Sequence, residues 1–188
     1  MRTHSSVLGT VLMLCILLIL TSSCMETRYA VLDVKGASDK VKKEEAYNRI
    51  TMILIDKGFD IKMGNKDLGL ITTEYKQFGS ISGNPPFDFY LQIKTTLRDR
   101  PDGKLQVVMT PVVKDQNRLN AAAFNEHPLI GYSEQDQQRV ITVKEKAYVK
   151  GFQLFHNVVI AVGELFGLGI EQFERNLQET EFSPFRTM

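Results

Sequence analysis

Two alternating segments joined by a tight turn constrain the fold more than any other feature of this chain. In residues 87–97 every second residue is apolar or Thr, and mostly polar residues lie between them. The alternation resumes over residues 105–113, after a turn in which Pro101 and Gly103 favour chain reversal. A period of two predicts half-buried strands paired in an antiparallel hairpin. Because Pro111 has no amide donor, we expect its end of the second strand to lie at a sheet edge.

Shorter elements precede this hairpin. Residues 29–34 are rich in strand formers, and residues 38–57 carry an apolar stripe at helical spacing that stops before Gly58. A glycine after such a stripe predicts the end of a helix. Residues 59–63 and 68–78 are predicted strands. We expect residues 79–86, which contain Gly and Pro, to form a flexible loop.

The chain after the hairpin predicts a second, longer helix. Residues 114–132 are polar and irregular, with room for one more short strand. Capping-box spacing at Ser133 predicts the start of a helix that ends at about Phe166, and residues 170–177 are predicted to form a short terminal helix. This order predicts an α+β fold, with an antiparallel β-meander packed by an early helix and a long C-terminal helix.

The first 23 residues have the three parts of a secretory signal. Arg2 is followed by an apolar run over residues 7–20 and then by small residues that precede Cys24. Residues 20–24 resemble the signal of bacterial lipoproteins. The resemblance implies that Cys24 carries a diacylglyceryl thioether and becomes the acylated N-terminus of a membrane-tethered protein. Met25, in place of the Asp of inner-membrane retention, implies the outer membrane and its periplasmic face.

Three alternatives remain for this segment. The uncharged run over residues 3–25 is long enough to be a retained transmembrane anchor, which needs about 20 residues. An ordinary secretory signal would leave Cys24 as a free thiol. A buried core helix is the third alternative, although the run has no polar face.

Composition excludes two classes of protein. Cys15 and Cys24 are the two cysteines of the chain, so a mature protein that begins at Cys24 has no internal disulfide framework. Without Arg2, 22 basic side chains balance 22 acidic ones. This balance, with no long basic cluster, argues against a nucleic-acid partner.

Part of the mature chain resembles the helix-grip domain of BamC-type envelope lipoproteins. The resemblance lies in a predicted helix over residues 46–56, the sequence Gly58-Phe59-Asp60-Ile61, and the Gly-containing strand of residues 67–73. It implies a role in assembly at the outer membrane. BamC-type proteins carry two such domains, whereas this chain has room for one. No binding residue of the family is carried over, because none has a recognisable local motif in this sequence.

The residues of the mature chain form no recognisable catalytic motif. His127 and His156 lie far apart without metal-ligand spacing, and there is neither a P-loop nor a nucleophile elbow. We therefore expect no enzyme activity, metal or cofactor. Because loops often carry contacts, the sequence predicts partner-contact loops; these comprise Ser80, Asn84, Phe87, Asn125 and His127. The second helix has an aromatic stripe that would line any apolar pocket, formed by Phe152, Phe155 and Val159.

The predicted organisation is a signal peptide over residues 1–23, a tether over 24–28, one domain over 29–178 and a loose tail over 179–188. We expect an envelope lipoprotein that acts by contact with a protein partner, as an interaction or assembly scaffold. The alternative is a module that binds a lipid or another small hydrophobic ligand, which predicts a cavity between the sheet and the long helix. An enzyme would instead need polar residues that converge in a cleft, with His127 as one candidate.

Overall fold

In the part of the chain that the structure describes, an eight-stranded antiparallel sheet packs against two helices. The computed structural model describes residues 28–132 and 142–180. The helices are α1 (Lys43–Asp56) and α2 (Val143–Phe166), with a short 3₁₀ turn at Ile170–Gln172. The strands are β1 (Arg28–Ser38), β2 (Ile61–Asn65), β3 (Leu70–Thr73), β4 (Lys76–Ile81), β5 (Phe87–Asp99), β6 (Leu105–Asn117), β7 (Phe124–Gly131) and β8 (Glu174–Thr180). The predicted α+β class, with an early and a long late helix, is confirmed.

The predicted hairpin forms the centre of the sheet. Strands β5 and β6 pair over their full length, from Phe87 opposite Asn117 to Asp99 opposite Leu105. The strand order is β2-β3-β5-β6-β7-β1-β8, with β4 also paired to β5 and β1 also paired to β6. The inward residues of the hairpin are almost fully buried beneath the helices; they include Phe89, Leu91, Ile93, Val107, Met109 and Val113.

Pro111 lies in a central strand, so the prediction of a sheet edge is wrong. One side of β6 pairs with β1 as far as Met109 and with β7 from Val112 onward. Pro111 falls in the gap between these two partners, while its other side faces Ile93 of β5. A residue without an N–H is tolerated where no partner strand needs its donor. The proline therefore marks the point at which β6 changes partners.

The predicted strand over residues 68–78 is two strands, β3 and β4, both paired with β5. The chain breaks after Thr73, whose Oγ1 accepts a 3.0 Å bond from the Ile93 amide and whose carbonyl accepts a 2.9 Å bond from the Gln92 side chain. These bonds replace ladder pairing at the break. Strand β4 then continues to Ile81, so part of the predicted loop over residues 79–86 is strand.

Helix α1 begins later than predicted, because Ser38 is the last residue of β1 and pairs with Leu105. Its end agrees with the prediction. Gly58 adopts a φ of 78°, and the Phe59 amide donates to the Leu54 carbonyl at 2.9 Å. Phe59 is buried, so the reversed turn folds the chain back under the helix.

The predicted terminal helix over residues 170–177 is wrong. Only the 3₁₀ turn is helical, and β8 follows and pairs with β1 from Arg28 opposite Thr180 to Lys35 opposite Glu174. Pairing with an available strand edge overrides the local helical preference here. Strand β8 also passes the predicted domain end at residue 178, and β1 begins at Arg28, within the predicted tether.

Helix α2 is capped at Thr142 rather than near Ser133, which lies outside the described residues together with the predicted signal, Cys24 and most of the tail. Thr142 Oγ1 accepts a 3.1 Å bond from the Glu145 amide, and the Glu145 carboxylate accepts a 3.1 Å bond from the Thr142 amide. These reciprocal bonds form a capping box. Gly167, with a φ of 64°, ends the helix as predicted.

Candidate binding groove

A groove of about 220 Å³ lies between α2 and the strands β1 and β8. A bulge in β1 between Val31 and Asp33 lets both Val31 and Val34 contribute to it. Opposite them on β8 are Leu177 and Arg175, both exposed, so the groove is open along this side. The residues that line it are Tyr29, Val31, Val34, Gly131, Tyr132, Phe152, Phe155, His156, Val159, Ile170, Arg175 and Leu177.

The three residues predicted for an apolar pocket lie together in this groove. Phe152, Phe155 and Val159 occupy successive turns on one face of α2, and Phe155 and Val159 are almost fully buried. Helical spacing brings residues three and four apart to one face, which is why the stripe could be read from the sequence. That the groove binds a ligand remains a prediction.

Two basic side chains interrupt the apolar lining. His156 of α2 stacks on Phe152 with ring centres 5.9 Å apart, and Arg175 is its cationic neighbour from β8. Burial lowers the pKa of His156, and the charge of Arg175 lowers it further. The imidazole is therefore neutral at neutral pH beside a permanent positive charge. None of the lining residues is acidic.

A polar cluster attaches the first half of α2 to the sheet. The Tyr148 hydroxyl lies 2.8 and 2.7 Å from the two carboxylate oxygens of Asp115 on β6. Lys144 Nζ lies 3.2 Å from the same carboxylate. His127 Nε2, from β7, lies 3.3 Å from Asp115 and 2.9 Å from the Tyr148 oxygen. We call Asp115, His127, Lys144 and Tyr148 the Asp115 cluster.

The pKa values in this cluster favour a charged acid and a neutral phenol. Burial alone would raise the pKa of Asp115, but His127, Lys144 and the Tyr148 hydroxyl together lower it. Burial, and then the charge of Asp115, raise the pKa of Tyr148 far above its usual range. Tyr148 therefore keeps its proton and donates it to an ionised carboxylate.

The polar convergence around His127 is the arrangement that an enzyme would require, yet its central atoms are enclosed. Tyr148 is 1% and Asp115 5% exposed, while His127 and Lys144 are partly exposed. The other ring nitrogen of His127, Nδ1, lies 2.7 Å from the Pro128 carbonyl oxygen. The cluster is suited to fixing α2 over β6 and β7. No local pattern predicts this cluster, because 33 residues separate Asp115 from Tyr148.

The start of α2 is also fixed to β1. Glu145, which is buried, forms a salt bridge with Arg28 and accepts a 2.6 Å bond from the Thr142 hydroxyl. Burial would raise the pKa of Glu145, but its bonds to Thr142 and the charge of Arg28 lower it. The helix start is therefore held by an ionised carboxylate.

Close glycine contacts position one flank of α2 against β4. A Cβ on Gly79 would lie 3.0 Å from the Ala147 Cβ, and a Cβ on Gly151 would lie 2.9 Å from the Phe78 ring. The two elements therefore approach more closely than larger residues would allow. Near the end of α2, a Cβ on Gly163 would likewise lie 3.0 Å from the ring of Phe173, which precedes β8. On the β1 and β8 flank the groove therefore lies beside the middle of the helix, at Phe152, Phe155 and Val159.

Four of the five residues predicted on contact loops lie on strands. Ser80 is in β4 and donates to Asp88 at 2.7 Å, and Phe87 begins β5. Asn125 and His127 are in β7, where they pair with Asp115 and Val113. Only Asn84 lies in a connection, between β4 and β5. The prediction covered only residues 76–78 of β4 and allowed one short strand in residues 114–132, where β7 lies. Gly, Pro and polar residues weaken the strand pattern in both segments.

An aromatic cluster lies on the sheet face opposite the helices. Lys114 Nζ is 5.0 Å from the ring centre of Phe124, 5.5 Å from that of Tyr75 and 5.6 Å from that of Tyr90. The Tyr75 hydroxyl donates to Glu126 at 2.7 Å. We call Tyr75, Tyr90, Lys114 and Phe124 the outer aromatic cluster. Phe124 is 49% exposed, so the cluster is open to contact.

Within residues 28–132 and 142–180, no group of His, Cys, Asp and Glu is arranged to hold a metal ion. Neither helix of this part is long and apolar enough to span a membrane.

Comparison with known proteins adds little on function. No family model matches the sequence, and no curated protein matches it. A crystal structure of a DUF4468 family protein from Bacteroides ovatus ATCC 8483 is similar to this chain, with a TM-score of 0.38 and 13% sequence identity. The match covers 71% of this chain and 85% of that chain.

Proposed function

We propose that this protein is a lipid-anchored envelope protein that binds a small hydrophobic molecule in the groove between its sheet and α2. The observation that carries the proposal is the groove itself, with an apolar lining and an open side. Binding sites for small molecules are concave and mostly apolar, with a few polar groups that orient the ligand. The proposal involves no chemical step.

The size of the groove limits the ligand. An engineered cavity of about 150 Å³ lined by Leu, Ile and Phe binds benzene. A groove of about 220 Å³ therefore suits one ring or one short alkyl chain, and its open side lets a longer chain extend outward. The Asp115 cluster and the capping box hold α2 in place, so little conformational entropy is lost when a ligand enters.

The proposed anchor is the acyl chains on Cys24. It is supported by the sequence of residues 1–24, and it would place the domain close to a source of hydrophobic molecules. Tethering raises the effective concentration of the domain at that surface, so weak binding can suffice. Intact-mass analysis and membrane fractionation of the natural protein, with a Cys24→Ala variant as control, test the anchor. A soluble wild-type protein without an acyl adduct would contradict it.

Photo-crosslinking in intact cells tests the groove. A neutral fatty alcohol that bears a diazirine is fed to cells producing the full chain, and the crosslinked peptides are mapped by mass spectrometry. We expect adducts on β1, β8 and the middle of α2. The Val159→Phe variant fills the groove and should lose these adducts. Ile160→Phe is the matched control, because Ile160 is exposed on the same helix and does not line the groove.

Equal labelling of wild type and Val159→Phe would contradict binding in the groove. So would adducts spread evenly over exposed apolar residues such as Met52 and Leu119, because the groove would then have no preference.

A second candidate function is the interaction or assembly scaffold predicted from the sequence. The outer aromatic cluster favours it, because aromatic residues are enriched at protein interfaces and this one is exposed. A photoreactive amino acid placed at Phe124 should crosslink to one defined envelope protein. The same amino acid at exposed Met52 on α1 is the control. No adduct at position 124, or the same adducts at both positions, would contradict this function.

A further inference from the structure

We infer that the groove takes an amphiphile with one anionic head group and one alkyl chain, of the fatty-acid type, with its head beside Arg175 and His156. The inference rests on the proposed function and specifies the class of ligand. It is carried by the placement of charge around the groove.

Arg175 is the group that would receive the head. It lies opposite Val34 on the groove side of β8, and its guanidinium forms no salt bridge with an acidic side chain of the described residues. Of the other five described arginines, four have an acidic partner and one, Arg98, has none; the four are Arg28, Arg49, Arg100 and Arg118. A guanidinium without a carboxylate partner can bind the carboxylate of a ligand through two parallel bonds.

His156 provides a second donor at the same place. Its ring is held by stacking on Phe152, and the charge of Arg175 disfavours a second cation beside it. A bound carboxylate would reverse this effect by stabilising the imidazolium form. His156 therefore reports directly on the charge of a ligand head group.

Apolar side chains line the rest of the groove beside this basic end. Leu177 lies opposite Val31, and Phe152, Phe155 and Val159 face them from α2. By strand alternation Glu179 lies on the same side of β8 as Arg175, beyond Leu177 and opposite Tyr29. An acidic group there disfavours an anion at that end, so the head is directed to Arg175 and the chain lies beneath α2.

The experiment is NMR of the full, anchored chain in lipid nanodiscs, with octanoate, 1-octanol and octylamine as probes. The chain has three histidines, so the imidazole signal of His156 is assigned with a His156→Gln variant. Methyl signals of Val31 and Val159 report whether the groove is filled. Nanodiscs without protein provide the control for partition of each probe into lipid.

We expect octanoate and octanol to shift both valine methyl signals, and only octanoate to raise the pKa of His156. Arg175→Gln should weaken octanoate binding about threefold to fivefold, as for a largely exposed ion pair, and leave octanol binding unchanged.

Two results would overturn the inference. If octanol or octylamine binds as well as octanoate, and Arg175→Gln changes nothing, the groove binds apolar molecules without selecting an anion, and the proposed function survives. If none of the probes shifts the valine methyl signals, the proposed function fails as well.

Discussion

The two flanks of α2 differ in how they meet the sheet. Toward β4 the helix fits closely, through Gly79 against Ala147 and Gly151 against Phe78. Toward β1 and β8 the same helix borders a groove of about 220 Å³. Where two elements leave a gap between them, their side chains lose dispersion contacts, so an unfilled gap costs stability. Under the proposed function, the flank toward β4 positions the helix and the flank toward β1 and β8 leaves room for the ligand.

The Asp115 cluster holds α2 in its position between the closely packed flank and the groove. Apolar contacts have no fixed direction, so by themselves they define the position of a helix on a sheet only loosely. Directional bonds from Tyr148, His127 and Lys144 to one carboxylate fix the helix above β6 instead. The free energy of burying a charge makes such a network costly to rearrange.

The largest expected effect comes from removing the centre of the cluster. Asp115→Ala leaves the Tyr148 hydroxyl without its carboxylate acceptor and removes the partner of Lys144, so we expect a loss of about 2–4 kcal/mol in the free energy of unfolding. Chemical denaturation measures it. Glu45→Ala, which breaks the exposed Glu45–Arg49 pair on α1, is the control and should cost less than about 1 kcal/mol. Equal losses in both variants would show that the cluster does not hold the helix.

The contrast between the flanks is sharpened by adding volume to each. Gly151→Val places new atoms against the Phe78 ring, and we expect a loss of about 1–3 kcal/mol. Val159→Phe enlarges a residue that borders the groove, and it should cost less than about 1 kcal/mol because space is present. Denaturation midpoints compare the two variants. If Val159→Phe lowers the free energy of unfolding more than Gly151→Val does, the flank toward β1 and β8 has no free space beside Val159.

Removing one hydroxyl has a smaller effect. Tyr148→Phe should cost about 1 kcal/mol at neutral pH, because Asp115 keeps its bonds to His127 and Lys144. The raised pKa of Tyr148 means that the folded state retains its proton more tightly than the unfolded state. The contribution of Tyr148 to the free energy of unfolding is therefore complete below the usual tyrosine pKa of 10.0, and it falls as the pH rises above that value.

Denaturation between pH 8 and about 11 should accordingly show a steeper loss of stability for wild type than for Tyr148→Phe. Tyr75→Phe, which removes an exposed bond to Glu126, is the control at neutral pH. If the free energy of unfolding falls equally with rising pH in wild type and Tyr148→Phe, the buried hydrogen bond between Tyr148 and Asp115 is not formed.

The smallest expected effect is at the basic end of the groove. The pKa of His156 is lowered in the folded state, so its contribution to stability is present above the unfolded value of 6.5 and is lost as the pH falls through the folded value. In the His156→Gln variant, the free energy of unfolding should therefore change less with pH in this acidic range. Arg175→Gln should raise the pKa of His156 in an NMR titration. An unchanged pKa would mean that the two groups do not share the groove.

The sequence predicted those parts of the fold that local patterns determine. Alternation placed the β5–β6 hairpin, Gly58 ended α1, and the stripe of Phe152, Phe155 and Val159 identified the helix face that lines the groove. These features depend on neighbours within a few residues. They needed no knowledge of the sheet order.

The missed features depend on residues distant in sequence. Strand β8 reads as a helical segment because only its pairing with β1 makes it a strand. The prediction of a sheet edge at Pro111 is wrong because the environment of this residue depends on two separate partner strands of β6. The sequence did not predict Arg175 as a residue of the groove, since no local pattern distinguishes a single arginine in a polar segment. Tertiary pairing brings these residues to their positions, and a single sequence does not contain that pairing in readable form.

Xenon binding in a crystal shows directly whether the groove is present, because xenon enters apolar cavities without needing a head group. Crystals of the protein pressurised with xenon should show an anomalous peak among Val31, Phe155 and Val159, and this peak should be lost in Val159→Phe. If the wild-type protein shows no xenon peak there and α2 packs directly on β1, the groove between the helix and β1 does not exist.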